Sequence, residues 1–178
     1  MTKLLVLALL SMQPMSGYEI KGMLEQSDSQ RWAGALPGSI YNALKKLEAA
    51  GYVEVATIEN QGHRQKAIYK ITDAGETYQA QLILEALADP KVNYPTSLYS
   101  GIGLAHQLPK ADAISALQEH KTKQENEIAE VKHGLIAKEK AMQGEIPALS
   151  KVVFDHMFET IESQIKLIEQ TIAIIEKQ

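Results

Sequence analysis

Between residues 39 and 46, Ser39, Tyr41, Asn42, Lys45 and Lys46 gather two hydroxyls, an amide and two ammonium groups. They fall on the side of a helical pattern opposite Ile40, Leu44 and Leu47. Hydroxyls and an amide can read base edges in a major groove, while Lys and Tyr can hold a helix against phosphates. Downstream, residues 60–70 carry Arg64, Lys66 and Lys70 and no acid, with His63 and Arg64 at a hairpin tip placed to reach a neighbouring minor groove or backbone. The opposing reading is a plain amphipathic helix and a solvated turn. A pI near 5.8 favours that reading, because nucleic-acid binders are commonly basic. The formal charge of -4 is unevenly spread, however. Residues 1–80 hold eight basic and eight acidic side chains, and residues 81–178 hold ten and fourteen. The acidic surplus therefore lies wholly outside the candidate binding segments.

Other chemistries find little support. His63, His106, His120, His133 and His156 lie in different elements, and none has metal or triad spacing. Without Cys there are no disulfides, thiolate sites or cysteine nucleophile. Gly101-Ile102-Gly103 lacks the third glycine and the preceding strand of a phosphate loop, and Glu125 and Glu127 read as a solvated helix face. No base is coupled to a nucleophile, so the chain is expected to be neither an enzyme nor a holder of a metal or cofactor.

The elements that would position these groups follow from periodicity and turn signals. Leu4 to Met12 reads as a short buried helix interrupted by Pro14. Ser16-Gly17-Tyr18-Glu19 fits a capping box that opens a second helix with Ile20, Met23 and Leu24 on one face, ended by the polar stretch 27–30. A third helix begins at Pro37-Gly38-Ser39 and ends at Gly51, a left-handed cap. Tyr52–Ile58 and Gln65–Ile71 read as the strands of a hairpin, and Asp73-Ala74-Gly75-Glu76 as a second capping box opening a helix through Tyr78, Leu82 and Leu87. Tyr69 is expected on the hairpin's core face, and Met12, Met15 and Met23 as core filler. This order is that of a winged helix-turn-helix.

The second half has a stricter pattern. Phe154, Phe158, Ile161, Ile165, Ile168, Ile172 and Ile175 alternate spacings of four and three, a seven-residue repeat that presents one seam to a partner helix. Ile114 through Met142 follows the same alternation with polar interruptions at Lys121, Gln124 and Lys138, and Gly144-Glu145-Ile146-Pro147 breaks the two patterns apart. The expected fold is mostly α with a small β hairpin: a winged helix-turn-helix at residues 1–88, then an antiparallel, coiled-coil-like two-helix dimerisation region at 89–178. The Phe154–Ile175 seam is expected to join two protomers. The longest apolar run, Leu4–Leu10, has seven residues against roughly 20 for a membrane span. It is followed by Met12-Gln13-Pro14 rather than a small-residue cleavage site, so a cytoplasmic protein without a signal peptide is expected.

The stretches Leu7–Leu10, Met15–Ile20, Gly38–Glu48, Gly51-Tyr52-Val53 and Tyr69–Gly75 resemble the PadR family of bacterial transcriptional regulators, and the two-helix second half resembles its longer, virulence-activator-like branch. The resemblance implies a homodimer on a pseudo-palindromic operator, usually as a repressor. It assigns Ser39, Tyr41, Asn42, Lys45 and Lys46 to the groove and its phosphates, and Gly62, His63, Arg64 and Lys66 to the wing. Tyr18 either contacts the backbone or packs beneath the third helix. Asn42 stands where relatives often have Pro or Glu, so operator sequence does not transfer. Some relatives respond to small aromatic compounds, for which Trp32, Tyr94, Tyr99, His106 and Met157 are candidate lining residues. For Trp32 the favoured reading is an anchor of its loop or of a dimer interface. Residues 90–103 read as a short helix with a loop or as a pocket wall. The alternative function is a winged-helix dimer used as a protein-interaction scaffold without specific DNA readout.

Overall fold

A computed structural model of the chain describes residues 1–61 and 64–177, with the side chains of Asn60, Gln61 and Arg64 outside the description. It divides into two compact units, Met1–Lys91 and Val92–Gln178.

The first unit begins with α1 (Thr2–Leu10), whose nearly continuous apolar sequence buries Val6, Leu7 and Leu10. Strand β1 (Met15–Ser16) leads directly into α2 (Gly17–Gln26). The capping box is present: the Glu19 N–H donates to the Ser16 hydroxyl at 3.3 Å, and the Ser16 N–H donates to the Glu19 carboxylate at 2.8 Å. The polar stretch after α2 does not stay irregular. It turns through Asp28 into α3 (Ser29–Ala33), a single turn stopped by Gly34 in the left-handed region.

A tight turn over Pro37–Ser39 then opens α4 (Ile40–Ala49), which buries Ile40, Ala43, Leu44 and Leu47. Gly51, at φ +74°, ends it in a Schellman arrangement, with Gly51 N–H donating to the Glu48 carbonyl and Tyr52 N–H to the Leu47 carbonyl, both at 2.9 Å. Strands β2 (Val53–Gln61) and β3 (Arg64–Ile71) pair antiparallel with an irregularity between Val55 and Thr57, and β1 adds to the other edge of β3. Helix α5 (Asp73–Leu87) is capped one residue earlier than the sequence suggests, by Thr72. Its hydroxyl accepts from Gly75 N–H and donates to the Gly51 carbonyl. The core joins α1, α2, α4 and the start of β2, with Tyr52, Tyr69, Tyr78 and Leu82 packed around it. Of the three methionines read as core, only Met15 is buried. Met12 lies beyond the end of α1 at 72% exposure, and Met23 is exposed on α2.

In the second unit, residues 92–95 are irregular and α6 (Thr96–Leu104) follows, so the segment left open in the sequence is a loop and then a helix. A short turn at Ala105–Gln107 precedes α7 (Lys110–Ala141), and α8 (Ala148–Lys177) returns along it. Lys121 near the start of α7 meets Glu169 near the end of α8 at 2.6 Å, which fixes the antiparallel register. Ile161, Ile168, Thr171 and Ile175 are buried against α7, with Phe154, Phe158, Ile165 and Ile172 half-buried beside them. The seam assigned from sequence to a second protomer is thus first the core of this hairpin. A heptad pattern specifies that a helix is covered, not which chain covers it. No described helix is long and apolar enough to cross a membrane.

Candidate nucleic-acid interface

The sequence places its candidate reading side chains on α4, and the fold presents them there. Four apolar residues anchor the helix from behind, leaving Tyr41, Asn42, Lys45 and Lys46 exposed on the opposite face. They form two rows. Asn42 and Lys46, with Ser39, border a groove of about 460 Å³ whose other walls are Thr2 and Lys3 of α1 and Leu82 and Glu85 of α5. Tyr41 and Lys45, one turn apart, are rotated toward α2. Ser39 is half-buried and already engaged: its hydroxyl donates to the Leu36 carbonyl at 2.6 Å, so Thr2 is the donor across the 2.9 Å contact between the two hydroxyls. It ties α4 to α1 and is less available than its neighbours.

Tyr41 is held in place by a glycine that sequence reasoning passed over. A Cβ on Gly17 would lie 2.7 Å from Tyr41 Cε1 and 3.1 Å from Leu44 Cδ1. Gly17 therefore lets the first turn of α2 approach the tyrosine ring. Gly17→Ala is expected to swing Tyr41 off this position and cost about 1–3 kcal/mol by overpacking. Tyr41 ring resonances that do not shift in NMR spectra of the variant would refute the contact. Tyr18 next to it is 75% exposed, so it does not pack beneath α4, and its hydroxyl is available from the first turn of α2.

The wing differs from its sequence reading. Gly62 and His63 lie outside the described residues, and Arg64 is described only as the first residue of β3. Lys66 and Lys70 look unopposed within residues 60–70, but antiparallel pairing sets Glu59 opposite Lys66 and Glu54 opposite Lys70. Lys70 meets Glu54 at 2.8 Å. Lys66 meets Glu59 at 3.7 Å and Glu19 of α2 at 3.0 Å, and the Glu19 bond is the first cause that raises its pKa. Glu19 in turn is lowered from an ordinary 4.5 to about 2 by the Ser16 N–H, then the Ser16 hydroxyl, then Lys66. The partners Glu54 and Glu59 could have been found by pairing the two strands in register about their turn. Glu19, 47 residues from Lys66, had no such signal. Tyr69 is half-buried against the core, as its expected face requires, and desolvation, with Glu48 second, raises its phenol pKa.

The five residues proposed for an effector pocket are not all gathered by described contacts. Tyr99 lines a groove of about 540 Å³ in the second unit, with Asn93 and Pro95 beside it and His156, Glu159 and Thr160 of α8 opposite. Tyr94 stands against Tyr99 with ring centroids 6.1 Å apart. His106 is exposed in the turn after α6, and Met157 is half-buried on α8; neither lines that groove. Trp32 belongs to the first unit, where its indole N–H donates to the Ser27 carbonyl at 2.9 Å and staples α3 to the end of α2. Among the described residues, no group of three or more His, Asp or Glu could hold a metal ion.

The model of the transcriptional regulator PadR-like family matches residues 6–81, from α1 into α5. The "probable transcriptional regulator Rv1176c" of Mycobacterium tuberculosis is 31% identical over 83 residues, 47% of this chain and 43% of that protein. The chain thus matches less than half the length of that relative. Among solved structures, Bacillus subtilis PadR in complex with operator DNA superposes with a TM-score of 0.75 at 21% identity, covering 97% of this chain and 98% of the other. The same protein in complex with p-coumaric acid gives 0.76 at 20% identity, covering 98% of both chains. The Vibrio cholerae virulence activator AphA gives 0.71 at 16% identity, covering 99% of both. These likenesses extend the shared fold through the helical hairpin. The capping box of α2 and the exposed face of α4 both lie inside the residues, 6–81, that match the model of the PadR-like family of transcriptional regulators.

Proposed function

We propose that the chain is a homodimeric, sequence-specific DNA-binding repressor, with α4 as the reading helix and β2–β3 as the wing. The observation that carries the reading is the exposed row Tyr41, Asn42, Lys45 and Lys46 on a helix anchored by four buried apolar residues. Asn42 is suited to bidentate recognition of adenine, and Lys45 and Lys46 to phosphates. The complex of Bacillus subtilis PadR with operator DNA supports this use of the fold. Dimerisation is supported by apolar side chains that the single chain leaves exposed on α8: Leu149, Val152, Val153 and Ile174. Two copies would then read half-sites about one helical turn, roughly 10 base pairs, apart. Release by a small aromatic effector draws support from the complex with p-coumaric acid and from the Tyr99 groove.

The test is a titration with DNA from immediately upstream of the protein's own gene, at two salt concentrations. Tight, salt-sensitive binding that a random duplex does not compete away is the expected result. Lys45→Ala should weaken binding to every sequence and flatten the salt dependence by about one unit of slope. Asn42→Ala should relax discrimination at one base pair at a cost of about 1–3 kcal/mol. The reverse pattern would exchange their roles. Salt-insensitive association, or none, would favour the winged-helix dimer as a protein-interaction scaffold.

A further inference from the structure

The two oxygens of the Glu19 carboxylate face different elements. Oε2 accepts from the Ser16 N–H at 2.8 Å and from the Ser16 hydroxyl at 2.7 Å, closing the cap of α2. Oε1 accepts from Lys66 Nζ of β3 at 3.0 Å. The position of that bond along the wing gives it a purpose. β1 pairs with β3 only at Tyr69 and Ile68, so from Ala67 toward the tip the wing is a two-stranded ribbon of β2 and β3. Such a ribbon is marginally stable on its own and twists more strongly than a wider sheet. Lys66 lies just past the point where β1 stops, and Glu59 on the facing strand lies within 3.7 Å of its ammonium.

Resting on the DNA-binding reading above, we propose that Glu19 and Lys66 are positioning residues that brace the wing against the N-terminus of α2, and that Lys66 makes no phosphate contact. Glu19 is held by both Ser16 donors, so its free oxygen is a fixed point rather than a mobile surface carboxylate. Lys66 is the less exposed partner, its side chain 25% accessible against 46% for Glu19, consistent with a stem laid along the ribbon. Because α2 begins at Gly17, against which Tyr41 of the reading helix rests, the brace refers the wing to the same short segment that positions α4. The angle between wing and reading helix thus depends on one carboxylate.

Two variants cut the brace from either side. Glu19→Gln keeps an amide oxygen for the cap, since Gln serves in a capping box, but turns an NH2 toward Lys66. Lys66→Met keeps the aliphatic stem and removes the charge. Backbone amide hydrogen exchange of residues 57–59 and 66–67 in the free protein is expected to rise roughly 1.5- to 5-fold in each variant, the range for an exposed ion pair. The double variant should be no faster than the faster single one. On a random-sequence duplex, Lys66→Met should keep the wild-type slope of log K against log salt. Unchanged exchange in both variants, or effects that multiply in the double, would overturn the brace. A slope lower by about 0.9 in Lys66→Met would make Lys66 a phosphate contact and overturn the assignment. If the wild-type protein binds no duplex at all, the DNA-binding reading fails on that result, while the exchange data still decide the brace.

Discussion

Gly75→Ala should melt the first unit about 10–20 °C early, the signature of a loss near 3 kcal/mol in a domain of this size. A Cβ at Gly75 would lie 2.0 Å from the Tyr52 carbonyl oxygen and 2.7 Å from Ile71 Cγ1. The first obstacle is backbone, and it is not free to move. The Tyr52 carbonyl accepts from Thr72 N–H at 3.1 Å, and Thr72 also bonds the Gly51 carbonyl and the Gly75 N–H. This knot joins the end of α4, the start of β2 and the cap of α5. The stacked rings of Tyr52 and Tyr78, 4.2 Å apart, continue it into the core. Any relief of the clash therefore shifts either the cap of α5 or the exit of α4. Gly22→Ala supplies the control. It sits inside α2 with nothing within 4 Å of a Cβ, so the same chemical change should stabilise by about 0.5–1 kcal/mol through helix propensity. Thermal unfolding followed by circular dichroism separates the two. Melting of Gly75→Ala within a degree or two of Gly22→Ala would mean the close approach is not a constraint.

What was legible in the sequence was what neighbours along the chain decide. The buried face of α4 follows from the spacing of Ile40, Leu44 and Leu47, its end from Gly51, and the start of α2 from Ser16 and Glu19. The errors lie where a distant residue decides. Asp73 looked like the cap of α5 because Glu76 follows at the right distance, but Thr72 took the role because its hydroxyl also reaches Gly51 across the turn. The wing lysines looked unopposed because the acids that meet them lie on β2 and α2. The single turn of α3 is too short to register in any periodicity, and it exists because Gly34 closes it and Trp32 staples it to Ser27. At the candidate interface the consequence is uneven. Tyr41, Asn42, Lys45 and Lys46 are exposed on one face as their spacing requires, whereas Ser39 and Lys66 are drawn into contacts that sequence spacing does not show.

The heptad seam carries the same lesson to its sharpest test. Ile168 is fully buried in the single chain, between α8 and α7, while Ile174 on the same helix is 58% exposed. Ile168→Asp puts a carboxylate at a position that is fully buried in the chain. Lys121 of α7 is already paired with Glu169 at 2.6 Å. The expected cost is several kcal/mol, enough to unfold much of the hairpin of α7 and α8. The variant should lose a large part of the helical signal contributed by the 32 residues of α7 and the 30 of α8. Ile174→Asp should leave that signal intact, since its side chain is already in water. The pair of variants separates folding from association. If the exposed face joins two copies, Ile174→Asp gives a folded monomer by light scattering, and Ile168→Asp loses fold and association together. If Ile168→Asp keeps full helicity and becomes monomeric, the seam is closed by the partner's helix instead of the chain's own. Each α8 would then be exchanged between copies, because a seam repeating every seven residues accepts α7 of either chain on equal chemical terms.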